Sequence, residues 1–250
     1  MAARPAASQS QVRSLAAVAA AVCVLAAGAG PAGAYQTIDV ADAGSIAGRV
    51  RYEGDPPPSA AIVVTIDRDV CGEQKTPSTL LVGPDRGIAN VVVRLADVVK
   101  GKALPAPAAV TFDQKGCEYT PHVLLFPAGS TVRIQNSDGI LHNTQVNAER
   151  NRGFNVAQPK SRRVVEKKIM EPEMPIRVQC DVHRWMRAVW VAEDHPYYAV
   201  TDAHGSFVLD DVPPGTYRLE VWHETLGTRA QPVTVQPHQR VVVTLEMAKR

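Results

Sequence analysis

Alternation of apolar and polar residues at period two dominates the sequence. The stretches SIAGRVRY (45–52), AIVVTI (61–66), NVVVRL (90–95), HVLLF (122–126), TVRIQN (131–136), RAVWVA (187–192), GSFVLDDV (205–212), TYRLEVW (216–222), QPVTV (231–235) and RVVVTLEM (240–247) are alternating or β-branched runs. That is the signature of strands with one buried face. Clusters of Gly, Pro and Asp separate them as turns: EGDPPP, GPDRG, PAGS, DAHG and PPG. No long segment carries the 3.6-residue helical period. The pattern predicts an all-β chain of sandwiches or barrels rather than a parallel sheet.

The first 34 residues break this pattern. Arg4 and Arg13 lead into the apolar run LAAVAAAVCVLAAG, and Ala32-Gly33-Ala34 supplies small residues for a cleavage site. Such a segment reads as a secretory signal peptide cleaved after Ala34, too short to be a stable membrane span. Val22 precedes Cys23 where a lipoprotein signal needs a small residue, and no Arg pair precedes the apolar run, so general secretion is expected. No second apolar run approaches twenty residues. The expectation is a periplasmic or secreted protein without stable membrane insertion after signal removal.

Charge excludes one class of partner. The formal net charge is +2, and both charges in the leader are Arg, so the exported chain is balanced. Nucleic acid calls for a strongly basic face, and none is predicted. The basic runs between 160 and 168 are offset by Glu166, Glu171 and Glu173 and read as a solvated surface. Cysteine usage is more informative. Export leaves Cys71, Cys117 and Cys180, an odd number for an oxidising compartment. Cys71 and Cys117 each sit beside Gly in turn-like segments and are paired here as a disulfide, which leaves Cys180 for a ligand.

Two segments at either end of the exported chain share a style. A strand with Gly, then TDAHGSFVL, then PPGTYRL resembles the transthyretin-like regulatory domain of carboxypeptidases. The resemblance spans 44–100 and 197–247 and implies a small discontinuous β-sandwich. Gly205 and Gly215 would serve tight turns, with Phe207, Leu209, Tyr217 and Leu219 alternating toward a core. Residues 104–195 would be an inserted domain.

The insertion holds the candidate chemistry. QCDVHRWM places a thiol, an imidazole and a thioether at Cys180, His183 and Met186. A type 1 copper site needs a thiolate, two imidazoles and a weak axial thioether. The second imidazole is offered by His142 in NSDGILHN, where one strand ends and another begins. Here the insertion resembles the blue-copper cupredoxins of the plastocyanin and amicyanin kind, in their His-Asn setting and their short Cys-x-x-His-x-x-Met loop. The resemblance implies a Greek-key sandwich holding one mononuclear type 1 copper, with His142, Cys180 and His183 as strong ligands and Met186 as the axial one. By the same analogy an exposed edge of His183 would be the electron port. Zinc fits less well because Met is a poor zinc ligand, and a dinuclear copper centre would need a second thiolate in the loop. Asn143 is a candidate to tie the two ligand segments together, and Trp185 to cover the outer side of the site. Arg184 and Arg187 flank the loop.

The remaining histidines receive structural readings. His122 heads a strand and could approach Glu118. His223-Glu224 lacks the second His of a zinc-protease motif, since Gly227 stands there. His195, His204 and His238 are expected in exposed turns. The leading function is a periplasmic electron carrier that cycles Cu(II) and Cu(I) with a redox protein partner. It is not an enzyme, because the ligand set leaves no strong-ligand position for substrate. Two alternatives stand beside it. One is a carbohydrate- or protein-binding module whose copper site is structural or vestigial, although only 5% of the chain is aromatic. The other is copper storage or delivery, which uses the same ligand types.

Overall fold

Strands from the two ends of the described chain build one sandwich and strands from its middle build another. The computed structural model describes residues 1–3 and 35–249. The cleavage site and apolar run of the expected leader lie outside the described residues.

In the first sandwich, a four-stranded antiparallel sheet runs in the order Tyr198–Val200, Val92–Ala96, Gly215–His223, Gly227–Val235. Facing it are Ser206–Val212, Gly44–Tyr52 and Arg240–Met247, the last two parallel over eight residue pairs. The strict alternation of Gly44–Tyr52 sends Ile46 and Val50 inward. They meet Phe207, Leu219, Val221 and Leu245 in one apolar core. Gly205 closes the DAHG turn at φ +74, and a Cβ there would stand 2.2 Å from the Val50 carbonyl oxygen, so both backbone conformation and space demand glycine. Gly215 differs from its expected role: it opens a nine-residue strand.

The second sandwich pairs a sheet of four strands (Val164–Lys168, Thr131–Asn136, Ala109–Gln114, Tyr119–Thr120) with a sheet of five. The five run Phe154–Gln158, His142–Asn147, Glu173–Gln179, Arg187–Glu193, Val123–Pro127. Phe112, Ile134, Ile176, Val178 and Trp190 fill the space between the sheets, with Phe112 edge-on to Trp190 at 5.1 Å between ring centroids.

The strand Arg187–Glu193 joins the two sandwiches. Six of its seven residues are buried in succession, because its two faces serve different purposes. Ala188, Trp190 and Ala192 point into the second core. Val189 and Val191 meet Val123, Val92 and Trp222, a cluster contributed by both sandwiches. Beside it, the Arg94 guanidinium reaches Glu193 at 2.9 Å and Glu220 at 3.7 Å.

Two expectations are corrected. The run 61–66 is not a full strand: only Ile62–Val63 pairs, with Gln74–Lys75, in a small hairpin that carries a one-turn helix, Arg68–Cys71. Pro56–Pro58 just before it offer no backbone N–H and Val63 and Ile66 face solvent, so the run has no sheet to join. Among the charges taken as solvated surface, Val164–Lys168 forms an edge strand, and Glu173 is buried, accepting hydrogen bonds from the amides of Glu149, Arg150 and Asn151.

Candidate metal centre

Topology brings the two candidate ligand segments to one end of the second sandwich. The strands His142–Asn147 and Glu173–Gln179 run antiparallel with Gln145 opposite Gln179. The start of the first therefore lies beside the end of the second, and Cys180 follows directly. The loop then closes on itself: the Met186 amide donates to the His183 carbonyl at 2.8 Å and the Cys180 amide to the Met186 carbonyl at 3.2 Å. His142, Cys180, His183 and Met186 are all buried. The donor atoms of His142, Cys180 and His183 lie within 4.8 Å of one another. His142 Nδ1 and His183 Nδ1 are 2.9 Å apart, and Cys180 Sγ is 4.0 Å from His183 Nδ1. Met186 packs in the same apolar cluster as Cys180.

Two carboxylates fix the imidazoles. His142 Nε2 donates to Asp138 Oδ2 at 2.8 Å, and His183 Nε2 to Asp67 Oδ2 at 3.0 Å. A carboxylate on each Nε2 places the ring proton there and leaves both Nδ1 lone pairs turned on one point. Two such lone pairs at 2.9 Å repel unless a cation lies between them, so the residues present fit a metal. Burial pushes His142 below the ordinary imidazole range despite its bond to Asp138, and neighbouring His183 acts in the same direction. A neutral imidazole is the form that can offer a lone pair to a metal. Burial raises the Cys180 thiol, partly offset by backbone amides, and a bound cation would favour the thiolate. The His183 amide donates to Sγ at 3.4 Å. Cys180 is the free cysteine among the described residues.

Asn143 joins strand to loop. Its Oδ1 accepts from the Asp181 amide at 2.7 Å, the Val182 amide at 3.3 Å and the Cys180 thiol at 3.3 Å. Its Nδ2 donates to Asn155 Oδ1 at 2.8 Å and Asp181 Oδ2 at 2.9 Å. Trp185 lies 5.1 Å from the His183 ring centroid, and its indole N–H donates to the Cys117 carbonyl at 3.0 Å. Cys71 and Cys117 are joined in a disulfide. The same Cys117 peptide helps hold Asp138, whose carboxylate accepts from the Gly116 and Cys117 amides at 2.5 and 2.8 Å.

The exposed edge expected at His183 is corrected. Its side chain is 0% exposed, because Asp67, delivered by the Ile62–Lys75 hairpin, covers Nε2. Nothing in the sequence near His183 signals Asp67, which lies 116 residues away. Asp138 was more accessible to inference, standing four residues before His142. Asn155 and Asp181, which share a 2.7 Å hydrogen bond, carry no local signal of their place at this site.

The other histidines divide. His204 and His238 are exposed, whereas His195 is buried against Tyr35, Tyr197 and Tyr198. Burial lowers its pKa to about 4, with Arg94 adding to the effect. His122 pairs with Glu224 across the sandwich boundary rather than with Glu118, which lies near Lys75. His223 is buried and accepts from the Thr225 amide; burial lowers its pKa to about 4. Arg184 and Arg187 are exposed beside the ligand loop.

Residues 187–248 match the carboxypeptidase regulatory-like domain family. The matched segment starts with the strand Arg187–Glu193, which belongs to the second sandwich. No curated protein matches the chain. Among solved structures, the chain is similar to a copper-containing nitrite reductase (NirK) from Thermus scotoductus SA-01, with 20% identity and a TM-score of 0.32 over 37% of this chain and 25% of that one. The chain thus spans a quarter of that protein's length. A purple cupredoxin from Nitrosopumilus maritimus aligns at 20% identity and TM-score 0.29, covering 34% of this chain and 99% of that one. Amicyanin from Paracoccus versutus (Thiobacillus versutus) aligns at 21% identity and TM-score 0.29, covering 36% and 85% respectively.

Proposed function

We propose that this chain is an exported mononuclear copper protein that carries single electrons between redox partners and catalyses no reaction of its own. The observation that carries the reading is the convergence of the His142 and His183 Nδ1 atoms beside the Cys180 thiol, with each Nε2 occupied by a carboxylate. Bound copper would supply one-electron chemistry between Cu(II) and Cu(I). His142, Cys180 and His183 would hold it, and Met186 would add a thioether, a donor set intermediate between the preferences of the two oxidation states. Burial of all four side chains keeps water from the ion, and Asn143 restrains the loop that carries three of them. Export to an oxidising compartment agrees with the Cys71–Cys117 disulfide and the leader-like first 34 residues.

Copper storage or delivery draws on one observation, the complete cover over His183, since a covered site suits retention as well as exchange. A sugar-binding role finds less support: only 5% of the chain is aromatic, and every Trp, Tyr and Phe among the described residues is at least partly buried. The deciding experiment is Cu(II) titration of the metal-free exported chain. One equivalent should produce an intense visible charge-transfer absorption that C180S abolishes, and the coloured protein should reduce and reoxidise reversibly. A chain that stays colourless overturns the reading. A coloured chain that yields its copper to a chelator faster than it exchanges electrons would favour delivery.

A further inference from the structure

We propose that Asp67 is a positioning residue for His183, carried on a disulfide-anchored flap that closes the imidazole edge to redox partners. The part concerning electron exchange rests on the copper reading; the cover itself rests on geometry alone. The flap comprises the paired strands Ile62–Val63 and Gln74–Lys75 with the helical turn Arg68–Cys71 between them. Three attachments seat it: fully buried Val64 in the apolar cluster beneath, the Cys71–Cys117 disulfide, and the Lys75 ammonium on the Gly116 carbonyl at 2.5 Å.

Asp67 stands at the apex of this flap with φ 52, in the left-handed region that few residues other than Gly, Asn and Asp enter. Its carbonyl accepts from the Val70 and Cys71 amides, so the backbone is fixed locally. The side chain caps no helix. It points instead at His183 Nε2. The carboxylate is 40% exposed while the imidazole is 0% exposed, so the carboxylate is the group that stands between the ring and water. On another side the ring meets Trp185, and a nitrogen of His183 lies within 4.8 Å of the disulfide sulfurs. Because the flap has three other attachments, the Asp67–His183 bond is not needed to hold it down. What the bond adds is the orientation of the ring and the closure of its outer edge.

A carboxylate accepting the Nε2 proton makes Nδ1 a stronger donor, which favours Cu(II) over Cu(I). It also lengthens the path for an electron passing from a Cu(I) molecule to a Cu(II) molecule. D67N keeps the cover and removes the charge, whereas D67A removes both. The first readout uses the metal-free protein: diethyl pyrocarbonate modification mapped by peptide mass spectrometry. His183 should be protected in the wild type and in D67N, and in D67A it should react at a rate approaching that of exposed His204 and His238. Equal reactivity of His183 in wild type and D67A overturns the cover. With copper bound, the reduction potential should rise in both variants, and the self-exchange rate should increase at least tenfold in D67A while changing little in D67N. A D67A rate equal to wild type overturns the closed port. Loss of protection in D67A without copper binding by any variant would sink the electron-carrier reading and leave the cover standing.

Discussion

Replacing Asn143 with Ala tests whether one side chain ties the histidine strand to the ligand loop. Asn143 is buried and uses both ends of its amide. The substitution leaves the Asp181 amide without its 2.7 Å acceptor and the Cys180 thiol without its 3.3 Å acceptor. It also removes donors to Asn155 and to the Asp181 carboxylate, but these two retain each other at 2.7 Å. Asp181 is exposed, so water can replace part of the carboxylate bond. Counting about 1 kcal/mol for each net hydrogen bond lost and about 1–3 kcal/mol for a buried donor left unpaired, N143A should cost about 3 kcal/mol. The measurement is urea unfolding of the metal-free protein followed by tryptophan fluorescence. The midpoint should fall while the denaturant slope stays constant. A loss under about 1 kcal/mol would refute the claim that Asn143 joins the two segments. Measuring the metal-free protein keeps that answer independent of copper.

Two further outcomes follow from the structure. The disulfide closes a loop with a sequence separation of 46, and in the chain-entropy account the double variant C71S/C117S should lose about 4 kcal/mol, read from chemical unfolding at pH 7; a loss below 1 kcal/mol would contradict it. The folded-state pKa of His223 is lowered from 6.5 to about 4, so the unfolded chain takes up its proton first, and the stability this residue contributes is present above pH 6.5 and lost as pH falls toward 4. H223Q should therefore narrow the difference in unfolding free energy between pH 7 and pH 5 by about 2 kcal/mol; an unchanged difference would refute this. Glu193, whose pKa burial raises from 4.5 to about 7, works in the opposite sense as pH rises from 4.5 to 7 and is common to both proteins.

The all-β fold was legible because most strands have one wet face and one dry face, as in Gly44–Tyr52. Where that condition fails, the reading weakens. Trp222 escapes the inward–outward alternation of its strand because it is buried between the sandwiches, outside either inner core. His195 looked like a turn residue, yet the aromatic rings around it come from both its own segment and Tyr35, a contact that no local pattern encodes. The ligand candidates were legible through their spacing in one short loop and one strand start. Their carboxylate partners were not. Asp67 reaches His183 only because a hairpin folds over the end of the sandwich, and an isolated Asp in a polar stretch carries no mark of that.

The shared wall between the sandwiches has a consequence for how this chain can be divided. Arg187–Glu193 leads directly out of the ligand loop, and its Val189 and Val191 lean on Val92 and Trp222 of the other half. Cutting the chain near 195 to isolate the middle would lay bare a row of aliphatic side chains that have never needed a polar neighbour, and would leave Glu193 without Arg94. Neither half is a cassette that could be lifted out intact, and the arms around the centre are as much its foundation as its own strands.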